Sequence, residues 1–150
     1  MRTLVLYSRD LRVHDHPALV AACRRGGDVL PLFVLDPALT GISPNRHRFL
    51  LESLADLDRE LTRRAGRLFV RSGDPAAQAL ALAVEAGCDA IHVTADVGAI
   101  ARRRERDLAD RCRNASVALE VFPGNAVVEP GEVVPAGKDV YSVFTPYHRA

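Results

Sequence analysis

Five short apolar runs that are almost unbroken constrain this chain more than any other feature of its sequence. They read LVLY within Thr3 to Ser8, VLPLFVL within Val29 to Leu35, LFV within Arg67 to Arg71, IHV within Ala90 to Thr94 and LEVF within Ala118 to Phe122. A strand wet on one face alternates apolar with polar residues, whereas these runs do not, so each is predicted to be a strand covered on both faces. Segments of helical period separate them, and that repeated switch is the mark of βαβ units on a parallel sheet. The expected fold is therefore α/β: a three-layer, Rossmann-like arrangement with a five-stranded parallel sheet and helices on both faces.

The helix ends are well marked. Ser43 and Pro44 supply a cap and a first-turn proline, Leu50, Leu54, Leu57 and Leu61 form an apolar stripe, and Gly66 ends it. Asp74 and Pro75 repeat the device ahead of Ala76 to Ala86, which Gly87 closes. A further helix is predicted from Pro17 to Arg25, with Asp15 in its cap region and Gly26 and Gly27 after it, and another from Ile100 to Arg113. Ligands of doubly wound sheets bind beyond the carboxyl ends of the strands. That rule selects the loops Arg9 to His16, Asp36 to Arg46 and Ala95 to Arg104. Past Phe122 the pattern decays, so 1–123 reads as the domain and 124–150 as the start of a linker in a longer chain.

Several function classes are excluded at this level. With 20 basic and 19 acidic residues the net charge is +1, which does not suit a surface built throughout to grip phosphate backbones. All but one of the basic residues are arginines, a bias read as genomic background. Cys23, Cys88 and Cys112 are widely spaced and odd in number, as expected of reduced thiols in a cytoplasmic protein. The opening apolar run is too short for a signal peptide or a membrane span. No G-x-G-x-x-G, phosphate loop or G-x-S-x-G elbow occurs, which disfavours an NTPase, an ordinary NAD dehydrogenase and a serine hydrolase. His14 and His16 lack a third ligand at zinc spacing, so no metal is expected.

Two charged stretches remain. In Arg9-Asp10-Leu11-Arg12, Asp10 paired with Arg9 or Arg12 is expected to clamp the first loop. The run Arg102 to Asp107 reads in itself as a solvated helix face carrying i,i+4 pairs.

Four blocks, LVLYSRDLRVHDHPAL from Leu4 to Leu19, RFLLESLADLDRELTRRAGRLFVRSGDP from Arg48 to Pro75, VTADVGAIARRRERDL from Val93 to Leu108, and YSVFTPYHRA from Tyr141 to Ala150, resemble the N-terminal α/β domain of the DNA photolyase and cryptochrome family. They fall in the family's order and span nearly the whole chain. The resemblance implies a domain that holds an antenna chromophore in a cleft facing a second, helical domain. That helical partner would carry the catalytic FAD, the electron-transfer tryptophans and the surface for damaged DNA. The present residues contain no Trp, so by themselves they are expected to be inactive in light-driven, deoxyribodipyrimidine photo-lyase-type repair.

By the same resemblance, deazaflavin-type members place a chromophore-binding arginine at Arg46 and an aspartate with arginines at Asp96, Arg102 and Arg104. Asp36 borders the cleft by topology, while Ile100 and Phe49 are expected as apolar walls. An 8-hydroxydeazaflavin is favoured, with methenyltetrahydrofolate and FMN as other options. Gly98 and Ile100 depart from the acidic residue and the aromatic common in the family. A reading of another class is a free-standing nucleotide-binding or regulatory α/β module.

Overall fold

The computed structural model describes residues 1–37, 41, 43–126, 132–135, 137 and 144–149. In chain order the elements are β1 (Arg2–Tyr7), α1 (Pro17–Arg25), β2 (Asp28–Leu35), α2 (Pro44–Thr62), β3 (Phe69–Ser72), α3 (Pro75–Glu85), β4 (Ala90–Thr94), α4 (Ala99–Ala115), β5 (Ala118–Phe122) and α5 (Phe144–His148). The five strands form one parallel sheet in the order β3-β2-β1-β4-β5. The chain thus winds outward from β1 to one edge through β2 and β3, then returns beside β1 with β4 and proceeds to the other edge. The reversal falls between β1 and β4, where Leu6 lies opposite Val93.

Two apolar layers hold the helices to the sheet, and the period-2 alternation of the strands sorts side chains between them. Val5, Tyr7 and Phe33 meet Ala18 and Ala22 of α1 and Leu54, Leu57 and Leu61 of α2 on one face. Leu4, Leu32, Val34, Ile91 and Val93 meet Ala76, Ala79, Leu82 and Ala83 of α3 and Leu108 and Cys112 of α4 on the other. Small residues on α1 and α3 let those helices sit close to the strands. Pro31 is accommodated within β2 because β3 pairs only from Leu32 onward, so the missing N–H precedes the doubly paired stretch.

Local details adjust the expected boundaries. The third strand begins at Phe69, and Arg67 instead lays its guanidinium 4.8 Å from the Phe69 ring centroid. Helix α2 ends at Thr62; Ala65 takes the left-handed conformation (φ 59°) and the Gly66 N–H closes on the Leu61 carbonyl. Ser43 stands at the α2 cap without a side-chain capping bond, whereas Asp74 caps α3 through Ala77 N–H at 2.8 Å. At α1 the cap is His16, whose Nδ1 accepts from Leu19 N–H at 3.1 Å; Asp15, expected in that role, is held in a left-handed turn (φ 46°) just before it. Among the described residues beyond β5, Phe144–His148 form a short helix where no element was expected. No helix among the described residues is long and apolar enough to cross a membrane.

Candidate functional site

The carboxyl ends of β1, β2 and β4 and the described residues that follow them meet above the sheet at the β1/β4 reversal, and a cleft of about 400 Å³ opens there. Leu6, Phe33, Val34 and Val93 form its floor with Ser8 and Thr94, and Pro75, Ala76, Ile100, Ala101 and Leu108 wall it from α3 and α4. Its polar rim consists of Arg9, Asp36, Asp96, Arg104 and Glu105. A second, outer trough of about 730 Å³ shares Arg9, Asp96 and Glu105 with the cleft and continues over Arg12, Arg102, Arg106, Gly124 and Asn125. The two spaces are therefore contiguous.

Beneath the cleft lies a closed polar cluster. Asp10, 1% exposed, accepts from Ser8 N–H at 3.0 Å and from the Thr94 hydroxyl, and its Oδ2 lies 2.9 Å from His16 Nε2. Because His16 Nδ1 accepts the Leu19 N–H, the proton of the neutral ring resides on Nε2, facing the carboxylate. Burial pushes the Asp10 carboxyl up, but the contacts from His16, Thr94 and Ser8 outweigh it and bring the group down to about 2. Tyr7 packs its ring edgewise on His16 with centroids 4.8 Å apart, and burial, then the Asp10 charge, push its hydroxyl far above the ordinary range.

The expected pairing of Asp10 with Arg9 or Arg12 does not form. Asp10 is directed inward, under the sheet edge, while both arginines stay at the rim. Arg9 Nε lies 3.2 Å from Asp96 Oδ2. Arg12 clamps the loop through carbonyls instead, donating to His14, to Asp15 at 2.9 Å and to Gly124 at 2.7 Å. That last bond ties the first loop to the strand exit after β5, where Asn125 Nδ2 donates to Ala95 O at 2.7 Å. Gly124 is required at this crossing: its φ is +145°, and a Cβ there would lie 3.2 Å from Pro17 Cδ and 3.3 Å from Thr94 Cγ2.

Of the residues singled out in the sequence, Asp36, Asp96, Ile100 and Arg104 meet at the cleft. Arg104 Nη2 donates to Asp36 across it, joining the end of β2 to α4; the two carboxylates are only 11% and 10% exposed. Arg102 belongs to the outer trough. Arg46 and Phe49 border neither space. They lie on the first turns of α2, exposed, with Phe49 at 72%, because α2 packs on the α1 side of the sheet and its buried residues begin only at Leu54. The sequence reading missed Ser8, Thr94, Pro75 and Ala76 as cleft residues and His16 as the partner of Asp10. The available signal was positional: each stands at the carboxyl end of a predicted strand or the start of a predicted helix.

A doubly wound parallel sheet with an apolar, polar-rimmed cleft at its topological reversal defines a Rossmann-like α/β domain of the ligand-binding kind. The match to the DNA photolyase family model extends over residues 3–150, and the chain belongs to that family. It is 43% identical over 153 residues to the deoxyribodipyrimidine photo-lyase of Streptomyces griseus, an alignment covering 97% of this chain and 33% of that protein. The class III photolyase of Agrobacterium tumefaciens superposes with a TM-score of 0.90 at 27% identity, covering 99% of this chain and 31% of that one. The archaeal photolyase of Sulfolobus tokodaii, described with two FAD molecules and a novel light-harvesting cofactor, superposes with a TM-score of 0.74 at 27% identity over 82% of this chain and 29% of its own. The chain thus spans about a third of the length of these relatives.

Proposed function

We propose that this chain is the antenna-chromophore-binding domain of a light-dependent photolyase, and that the inner cleft holds the chromophore ring. The observation that carries the reading is the cleft itself. Its volume of about 400 Å³ lies within the roughly 300–1,000 Å³ usual for small-molecule sites. Its opposed walls come from α3 and α4, and its rim sets a carboxylate beside a guanidinium twice, in Asp36 with Arg104 and in Asp96 with Arg9. A ring whose edge carries an imide, an N–H between two carbonyls, matches an acceptor flanked by donors. Deazaflavin and flavin rings present such an edge, whereas a pterin has an amino group in place of one carbonyl; the 8-hydroxydeazaflavin is favoured by the family's pattern at Asp96, Arg102 and Arg104. When bound, the chromophore would supply light absorption, while this chain's residues would only bind, orient and shield it.

In this reading 1–123 form the domain and 124–150 lead toward a helical, FAD-binding partner through which damaged DNA would be met. The Streptomyces griseus relative, a deoxyribodipyrimidine photo-lyase, and the two-FAD Sulfolobus tokodaii neighbour support this assignment. The test is a parallel titration of the full chain with 8-hydroxydeazaflavin, FMN, methenyltetrahydrofolate and ATP, followed by absorbance and fluorescence anisotropy. One-to-one binding of a chromophore with a shifted absorption band is expected. Selective ATP binding would instead establish the nucleotide-module reading, and failure of all three chromophores to bind would remove the antenna assignment.

A further inference from the structure

Among the described residues twelve of the nineteen arginines have a counter-charge or a ring, and four more, Arg24, Arg46, Arg103 and Arg149, have neither and stand apart from the outer trough. Arg2 pairs with Asp28, Arg25 with Glu120, Arg48 with Glu52, Arg71 with Glu85 and Arg111 with Asp107, while Arg67 lies over Phe69. The outer trough gathers the remaining three in one concave space. Arg102 and Arg106 line it and make no hydrogen bond or ion pair among the described residues, and Arg12 is held there by carbonyl oxygens alone, so its charge is not cancelled by any carboxylate.

The placement of Arg102 and Arg106 is also unfavourable for α4 itself. They are four residues apart, a like-charge pair on one face of the helix, in its first two turns, where the macrodipole is already positive. No acidic residue lies in the first turn, and Gly98 at the cap has no side chain to accept the free N–H groups. Glu105 is the one carboxylate of the trough without an ion pair, since Asp96 is taken by Arg9. Three guanidiniums from two separate segments, the first loop and α4, therefore converge on one concave space with an excess of positive charge and unused donors. A bound anion would relieve both the repulsion and the dipole.

We infer that the outer trough is a phosphate subsite, made by Arg12, Arg102 and Arg106, that receives the phosphate of the side chain of the ligand whose ring lies in the inner cleft. The inference rests on the reading of that cleft as a ring site, and it deepens it: because the two spaces share Arg9, Asp96 and Glu105, one molecule can extend from the first into the second. It commits the tail of that ligand to a phosphomonoester or phosphodiester, carried on a deazaflavin or flavin ring.

FMN and riboflavin share a ring and differ by one phosphate, so their comparison isolates the subsite. In flavin-fluorescence titrations of the full chain at low salt, FMN is expected to bind at least about tenfold more tightly than riboflavin. That preference should shrink to within about twofold in R102Q/R106Q and should fall as ionic strength rises, and R106Q alone should reduce it with riboflavin affinity unchanged. Equal affinity for the two flavins, or a preference that persists in R102Q/R106Q, would overturn the subsite. Inorganic phosphate, followed through the backbone amide resonances of Gly98 to Arg102, provides an arm that does not need the ring. Saturable shifts abolished in R102Q/R106Q support the subsite even where neither flavin binds, an outcome that would count against the ring site alone; no saturable shift would overturn the subsite.

Discussion

The two turns that flank the β1/β4 reversal handle charge in opposite ways. After β1 the chain buries Asp10 and gives it a complete set of partners in Ser8, Thr94 and His16, and it spends Arg12 on carbonyls of the same loop and of Gly124. After β4 it exposes arginines on α4, leaves Gly98 as a bare cap and gives Arg102 and Arg106 no partner among the described residues. A buried polar cluster built on a carboxylate with several partners fixes geometry, and opening it is costly. Unsatisfied donors at a concave surface contribute nothing to folding and are free to meet a ligand. The first turn therefore holds the floor of the cleft, and the second supplies its recognition groups.

The largest effect should come from the buried side of that contrast. Asp10→Ala would leave His16 Nε2–H, the Thr94 hydroxyl and Ser8 N–H without their shared acceptor, and is expected to lower unfolding stability by about 3 kcal/mol in urea titrations, through a lower midpoint with an unchanged slope. Its pH signature follows from the direction of the shift. The carboxyl lies near 2 in the folded protein, below its ordinary 3.8, so its contribution is fully present above pH 4 and is lost as pH falls through about 2. Wild type should thus lose about 2 kcal/mol over that window beyond what Asp10→Ala loses. An identical acid profile for the two proteins would remove Asp10 from the account and make the two turns alike.

Next in size is the cleft rim. Asp36→Asn and Arg104→Ala each break the bridge between β2 and α4, and either should weaken chromophore-ring binding about tenfold. Because Arg104 is partly solvated, thermal unfolding should move by no more than about 1 kcal/mol in equivalent stability. The decisive pattern is the ratio: large on stability and pH profile at Asp10, large on binding at Asp36 and Arg104. If the rim variants cost as much stability as Asp10→Ala, the distinction between holding and recognising would fail.

How legible all this was in the sequence follows the same division. The strands and helices could be read to within a few residues, since near-continuous apolar runs, Pro17, Pro44 and Pro75 at helix starts and the Asp74 cap act locally. The topological rule also located the cleft, because the order of β and α segments fixes which loops share an end of the sheet. Partner choice was not legible. Asp10 stands among arginines in sequence yet reaches His16 and Thr94, 84 residues away, because β4 lies beside β1 and the side chain turns inward. Asp36 and Arg104 are 68 residues apart and meet only through the crossover to α4. Arg46 and Phe49 show the converse, residues placed at the cleft by resemblance whose helix packs on the other face.

That last pair gives the smallest expected effect and the finest test of the contrast. Arg46→Ala and Phe49→Ala remove exposed side chains that border neither the cleft nor the trough. Surface changes of this kind shift stability by about 0.5 kcal/mol or less, and ring affinity in the 150-residue chain should move less than about twofold. A tenfold loss on Phe49→Ala alone would mean that the start of α2 folds over the ligand, which would place a third wall on the cleft and make recognition a property of both faces of the sheet. With no loss, the apolar contact of the ring comes from α3 and α4 only, and the exposed Phe49 ring remains available to a surface other than this chain's own cleft.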